Sequence, residues 1–287
     1  MLRFTIITLF IVCHTFAGGA FDDRYPSPRA MGMSNSVVAV TNDVWSSYYN
    51  PAGLSYVDNY QTGISYQKPF GYSFLQSIFA SAAMPISPEY GSVGLSVESF
   101  GVKYKGNTMN QEYVAMLSHG FFLLNDIHTS LSIGYNLKYY HMSLGESVDG
   151  LDLGSGGTFG LDLGVQASIY KRTYLGLYVF NLNSPKLGVD TAGDLPRRVV
   201  IGAAYRPYTG LTTAISMNKA LGFDTQFEGG FEFALLEMLD IRFGASTNPN
   251  RFTAGLGIEF ESFQFDYGFR SHPVLTETHT FGFMYSW

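Results

Sequence analysis

The stretch from Phe263 to Trp287 is built on a two-residue alternation, and this constrains the fold more than any other feature of the chain. Phe263, Phe265, Tyr267 and Phe269 alternate with Gln264, Asp266, Gly268 and Arg270. After a short break, His279, Phe281, Phe283, Tyr285 and Trp287 alternate with Thr278, Thr280, Gly282, Met284 and Ser286. Successive side chains of a β-strand point to opposite faces, so each stretch is a strand with one greasy face and one polar or glycine face. Phe252, Ala254, Leu256, Ile258 and Phe260 repeat the pattern against Thr253, Gly255, Gly257 and Glu259, as do Leu131, Ile133, Tyr135, Leu137 and Tyr139 against their neighbours. Carried back to Tyr60, the reading gives about fourteen candidate strands, near 60–68, 74–84, 90–105, 110–120, 127–142, 157–170, 173–182, 197–206, 210–217, 225–235, 240–246, 251–260, 262–271 and 276–287.

Alternation of this kind fits a soluble β-sandwich or a transmembrane barrel. A sandwich would turn its greasy face inward and expose a charged, Lys-rich face. Here the polar faces are thin in Lys and heavy in Gly, Ser and Thr. Their charges are Glu98, Lys138, Asp162, Glu228, Glu232, Arg242, Glu259, Asp266 and Arg270. A charge facing lipid costs up to about 2–4 kcal/mol near the bilayer midplane. Summed over these positions, the cost exceeds a typical folding free energy of roughly 5–15 kcal/mol. In a barrel the register is therefore fixed with these residues inside. The expected fold class is an all-β transmembrane antiparallel barrel with a lumen of mixed charge. With 24 Phe, 20 Tyr and 32 Gly against 14% charged residues, the composition suits strands with aromatic girdles. No run of about eighteen apolar residues follows residue 20, which excludes a helical membrane protein.

Residues 1–20 read as a signal peptide. Met1 to Arg3 form a basic start, Phe4 to Phe16 an apolar core, and Ala17-Gly18-Gly19-Ala20 a small-residue cleavage site. Cys13, the only cysteine, lies in that core, so the mature chain has no disulfide or thiolate chemistry. Loss of Arg3 takes the formal charge from −6 to about −7, and basic runs stop at two residues (Lys171-Arg172, Arg197-Arg198), so nucleic acid is not an expected partner. Residues 21–59 lack alternation, and Pro26, Pro28, Gly32, Asn50, Pro51 and Gly53 are expected to break any regular element there. A disordered tail is one reading of this segment. The apolar stretches Val37 to Val40 and Val44 to Leu54 favour a plug folded into the barrel of residues 60–287.

The even-numbered connections are mostly tight, as at Tyr170 to Thr173, Pro207 to Gly210 and Phe260 to Ser262, whereas Met142 to Gly156 and Asn183 to Leu195 are long and loop-like. In an outer-membrane barrel short turns face the periplasm. Both termini are then expected there.

Several stretches resemble a known group. Ala30-Met31-Gly32-Met33, Val37-Val38-Ala39-Val40, Asn42-Asp43 and Tyr49-Asn50-Pro51-Ala52-Gly53-Leu54 resemble the opening of the FadL superfamily of outer-membrane proteins, and more closely its PorV/PorQ branch. Phe159-Gly160-Leu161-Asp162-Leu163-Gly164 with Leu175-Gly176-Leu177 and Asn181-Leu182 fits that branch, as does Leu195-Pro196-Arg197 with Ile201-Gly202-Ala203-Ala204-Tyr205-Arg206. The resemblance implies a fourteen-stranded barrel with an N-terminal plug. It also implies one of two jobs: collecting exported cargo for type IX secretion, as in PorV/PorQ proteins, or, alternatively, carrying long-chain fatty acids and other hydrophobic molecules, as in FadL. The first is the main expectation, because a hydrophobic route would call for more apolar inward positions than these strands show. The chain is short for either group, so long extracellular elaborations are not expected.

The candidate functional residues fall into three sets. Asn50, Pro51 and Gly53 form a Pro-fixed turn that lets the plug lie close to the wall. Asp162, Glu228, Glu232, Arg242, Glu259, Asp266 and Arg270 are the luminal polar set, which either lines a pathway or pairs across the barrel. Phe283, Tyr285 and Trp287 form a lipid-side aromatic ending of the kind barrel-insertion machinery recognises. Expected partners are therefore that machinery, outer-membrane lipid and lipopolysaccharide, with secretion components and cargo on the PorV/PorQ reading. No cofactor is implied. The histidines His119, His128, His141, His272 and His279 show no metal-ligand spacing, and the loop around Asp149 and Asp152 lacks the ligand ladder of a calcium site. An embedded enzyme would need a nucleophile and base together, but Ser118-His119 and Ser271-His272 are adjacent, and neighbours on a strand face opposite ways.

Overall fold

In a computed structural model, Phe21 and residues 24–147, 150–188 and 193–287 are described. The signal-peptide reading of residues 1–20 lies outside the described residues, as does Asp149. The strands, in chain order, are β1 (Gln61–Lys68), β2 (Leu75–Ser87), β3 (Gly91–Tyr104), β4 (Asn107–Asn125), β5 (Thr129–Leu144), β6 (Ser155–Ile169), β7 (Thr173–Phe180), β8 (Lys186–Leu187), β9 (Gly193–Asp194), β10 (Arg198–Tyr205), β11 (Leu211–Ala220), β12 (Gln226–Leu236), β13 (Leu239–Ser246), β14 (Arg251–Phe260), β15 (Phe263–Arg270) and β16 (Thr278–Ser286). The minor strands β8 and β9 pair only with each other in the connection after β7. The other fourteen close into an antiparallel barrel in which every neighbour in space is a neighbour in sequence, sealed by β1 against β16. Closure leaves no free sheet edge, as a bilayer requires of backbone hydrogen-bonding groups. The seam continues past the strands, where Tyr60 N donates to Trp287 O at 3.1 Å and Trp287 N to Tyr60 O at 3.0 Å.

Each strand follows its alternation. Outward lie large apolar side chains such as Ile64, Leu95, Leu117, Leu137, Ile215, Phe252 and Phe281, all exposed and presenting an apolar exterior. Inward lie Ser81, Ser96, Ser118, Asn136, Gln166, Ser216, Thr253 and Thr280, all buried. The fourth strand departs from the expected 110–120: it runs 19 residues and turns into β3 through Lys105-Gly106, both at positive φ (49° and 86°). β2 to β6 are 13 to 19 residues long, against 8 in β7, β10, β13 and β15. At about 3.3 Å per residue, the wall stands far taller on the β2–β6 side. Elevation comes from strands, not from loop insertions. We call the end carrying Tyr60 and Trp287 the turn end and the opposite one the loop end.

Residues 24–59 fill the barrel and are almost entirely buried. The expectation that prolines and glycines break every regular element here is wrong, because proline is tolerated at the first helical position, where its missing N–H has no partner to lose. Pro28 opens α1 (Pro28–Gly32), with Ser27 Oγ accepting from Ala30 N, and Pro51 opens a 3₁₀ helix, Pro51–Tyr56, with Asn50 Oδ1 accepting from Ala52 N. Between them lies α2 (Ser46–Tyr49). Met31, Met33, Val44 and Leu54 of this inner segment are fully buried.

A belt of inward-facing glycines makes room for it. Gly120, Gly134 and Gly164 are cross-strand partners, as are Gly176 with Gly202 and Gly230 with Gly244. A Cβ added at Gly134 would lie 2.2 Å from the Pro51 carbonyl carbon, at Gly176 2.3 Å from Val38 O, and at Gly230 2.4 Å from Met33 O. Close approach is what these positions require. The segment's backbone lies directly on the bare inner wall, so it is held by shape around most of the circumference.

Candidate functional site in the filled lumen

Polar groups in a low-dielectric interior are costly unless partnered, and three charge clusters stacked along the barrel pair most of the charges in the lumen. The middle one centres on Asp162, which is fully buried on β6. Lys138 Nζ lies 2.5 Å from its Oδ2, to which Tyr178 OH also donates at 2.5 Å and Asn136 Nδ2 at 3.0 Å, while Asn181 N donates to Oδ1 at 2.9 Å. Asn136 Nδ2 also donates to Ser47 O at 2.9 Å. The wall cluster therefore grips α2.

Nearer the turn end, Glu232 on β12 receives Arg29 of α1 in a two-pronged contact, Nε to Oε2 at 2.8 Å and Nη2 to Oε1 at 2.9 Å. Arg242 on β13 donates to the same Oε2 at 2.6 Å, to Asp266 on β15 at 2.5 Å and to Asp240 at 3.1 Å. Gln264 Nε2 steadies Asp266 at 2.8 Å. Three strands and the inner segment are thus tied through two arginines. On the loop side, Arg24 bridges Glu98 at 3.6 Å and Glu112, with its guanidinium 3.9 Å above the Phe100 ring. The start of the inner segment thus lies toward the loop end while Trp287 lies at the turn end, so the two do not share one end of the barrel, contrary to the expectation from the sequence.

All seven residues of the luminal set face inward, but only some come together. Glu232, Arg242 and Asp266 form one network, and Asp162 is the hub of another. Glu228 accepts from Ser216 Oγ at 2.6 Å, and Arg270 lies 5.3 Å from the Tyr25 ring. Glu259 is exposed and lines the open turn-end mouth, a polar space of about 570 Å³, instead of the closed lumen. β14 ends beside it, so its last inward position faces solvent. Asn50 and Pro51 press against the wall at Gly164 and Gly134, and Asn50 Nδ2 donates to Val38 O (2.7 Å) and Val165 O (3.1 Å). Gly53 faces the other way: a Cβ there would lie 2.3 Å from Thr41 Oγ1, so it seats the 3₁₀ helix on its own segment. Phe283 and Tyr285 face outward, and Trp287 stacks on Tyr60 and Tyr285 with centroids at 5.7 and 5.2 Å. Ser118 points into the lumen while His119 lies outside on Tyr90 O at 2.7 Å.

Sequence reasoning missed Arg24, Arg29 and Glu112. The available signal was that a segment destined for burial carries arginines, which are almost never buried without acid partners. It also missed how the glycines align. On the loop side the lumen keeps a cavity of only about 50 Å³, bordered by Arg24, Glu98, Lys138 and Tyr140, far below the roughly 300 Å³ of small ligand pockets.

Across β10 to β13 small residues stand on both faces of the wall. Ala203, Gly229 and Ala245 face outward between Tyr205, Ile215, Phe231 and Phe243, leaving a shallow apolar groove of about 700 Å³ on the exterior. A Cβ on Gly229 would meet nothing closer than 3.9 Å. On the inner side of the same strands, Gly230 and Gly244 lie against the Met33 backbone. Only main chain separates the groove from the inner segment.

No protein-family profile and no curated protein sequence matches the chain. Solved structures do. The Pseudomonas putida toluene transporter TodX superposes with a TM-score of 0.61 at 10% identity, over 91% of this chain and 98% of that one. The CymD monoaromatic hydrocarbon channel gives 0.60 at 13% identity, over 91% and 97%, and a Pseudomonas aeruginosa FadL homologue gives 0.57 at 11%, over 91% and 98%. At such identities the likeness is one of fold: a closed fourteen-stranded antiparallel barrel, shared along nearly the whole of each chain.

Proposed function

We propose that this chain is an integral outer-membrane barrel that passes small hydrophobic molecules through a gated route, with residues 24–59 as the plug and the turn end in the periplasm. The observation that carries the reading is the groove over Gly229. It is an apolar concavity on the lipid side, backed by glycine main chain and, behind that, by plug backbone, with Arg29 anchoring the plug two residues along β12 from Gly230. The polar, filled lumen argues against a standing aqueous pore. The fold shared with structures described as a toluene transporter and a monoaromatic hydrocarbon channel supports the same reading. Uptake of labelled toluene and of a long-chain fatty acid by cells making the wild-type chain or Gly229→Trp tests it. A Cβ at Gly229 meets nothing closer than 3.9 Å, so the indole can extend along the lipid-facing groove without displacing the strand, and uptake of one probe falls severalfold. Uptake equal to that of cells lacking the gene would remove the reading.

Secretion of cargo, which the PorV/PorQ resemblance implies, draws no support from these structural neighbours. The one observation on its side is the raised β2–β6 wall, a surface standing clear of the remaining strands. Co-purification of exported proteins, lost when the Lys105-Gly106 hairpin is shortened, would favour it.

A further inference from the structure

Glu112 and Phe21 meet on the loop side of the barrel interior. Glu112 faces inward on β4 and is 3% exposed. Its carboxylate collects three donors: Asn110 Nδ2 on Oε1 at 2.8 Å, the Arg24 guanidinium on Oε2, and the backbone nitrogen of Phe21 on Oε2 at 3.0 Å. The Phe21 ring stands edge-on to Tyr140 with centroids 5.0 Å apart, and the Arg24 carbonyl accepts from Gln67 Nε2 at 2.6 Å. The leading end of the inner segment is therefore fastened where a buried acid faces a main-chain nitrogen. The sequence reading ends the signal peptide near Ala20, the residue before that nitrogen.

We propose that removal of residues 1–20 creates the proper partner of Glu112: the α-ammonium of Phe21, held as an ion pair inside the lumen, so that processing completes the seating of the plug. Water adds across the Ala20–Phe21 bond, leaving a carboxylate on Ala20 and an ammonium on Phe21. The nitrogen need not move. It changes from a neutral donor to a charged one, and charge-assisted hydrogen bonds are about twice as strong as neutral ones. With an ordinary α-amino pKa of about 7.7–8.0, the group is protonated at neutral pH. The inference rests on the cleavage site and is independent of what the barrel carries.

The test uses outer membranes from cells making the full chain. Intact-mass measurement should give Phe21 as the first residue. An amine-reactive ester at pH 7 should then modify the α-amine at least about tenfold more slowly in the folded barrel than in the denatured chain, each tenfold corresponding to 1.36 kcal/mol of preference for the charged form. Glu112→Gln should bring the folded rate to within about threefold of the denatured one. A second variant with Gly-Ser inserted after Ala20 keeps Glu112 but moves the ammonium away, and its amine should also react fast. A different first residue, equal rates in folded and denatured wild type, or protection that survives Glu112→Gln would each overturn the proposal. None of these outcomes bears on uptake.

Discussion

Glu232→Gln is the perturbation that most directly probes how the inner segment is held. The wild-type carboxylate accepts two hydrogen bonds from Arg29 and one from Arg242, and the three side chains are 14%, 13% and 1% exposed. Breaking a buried ion pair from one side costs about 3–5 kcal/mol, because it strands the remaining charge. Arg242 keeps Asp266 and Asp240, whereas Arg29 keeps only Asp43 and Asn42, both at longer range (3.5 and 3.4 Å). Most of the loss therefore falls on Arg29 and α1, and we expect the low end, about 3 kcal/mol. At 1.36 kcal/mol per tenfold, the amides of residues 27 and 29–33 should exchange with deuterium roughly 150-fold faster if exchange follows local opening. The barrel strands should change little, and the protein should still migrate as a folded, heat-modifiable species. In a cycle with Arg29→Met, the two substitutions should couple by more than about 1 kcal/mol, as residues of one network do. An effect on residues 27–33 below about fivefold would refute the claim that this contact holds the segment.

Three further outcomes follow from the geometry. Gly134→Val forces a side chain into the Pro51 backbone and should destabilise the barrel by about 1–3 kcal/mol in urea unfolding, the cost of overpacking, whereas the same change at Gly106, where a Cβ meets nothing within 4 Å, is penalised only by its positive φ. Trp287→Asp removes the stack on Tyr60 and Tyr285 at the seam, and should lower the fraction of chain reaching the folded form in outer-membrane fractions before uptake per folded barrel changes. His272, in the loop between β15 and β16, accepts from Val274 N and Leu275 N through Nδ1, and burial together with Arg251 and Arg270 lowers its pKa below 6.5. A lowered histidine pKa stabilises at pH above the unfolded value and is lost as pH falls through the folded one. Amides 274 and 275, corrected for intrinsic rates, should thus lose protection below about pH 6.5 in wild type but not with His272→Ala.

The barrel was legible in the residue order alone. A two-residue period is local, so it fixed the strands, the faces and the inward placement of Asp162, Glu232, Arg242 and Asp266, because charge facing lipid is too costly for the opposite register. The glycines at inward positions were equally visible, but their purpose was not. That Gly120, Gly134 and Gly164 share one level, and that Pro51 and Asn50 lie on them, depends on the stagger between strands and on closure of β1 on β16. The tertiary structure also decided the partners of Arg24 and Arg29. A buried arginine is costly without a partner, yet nothing in an aperiodic segment states which of the inward acids it will reach. Arg29 and Glu232 are separated by most of the chain and meet only because the barrel wraps around the segment that precedes it.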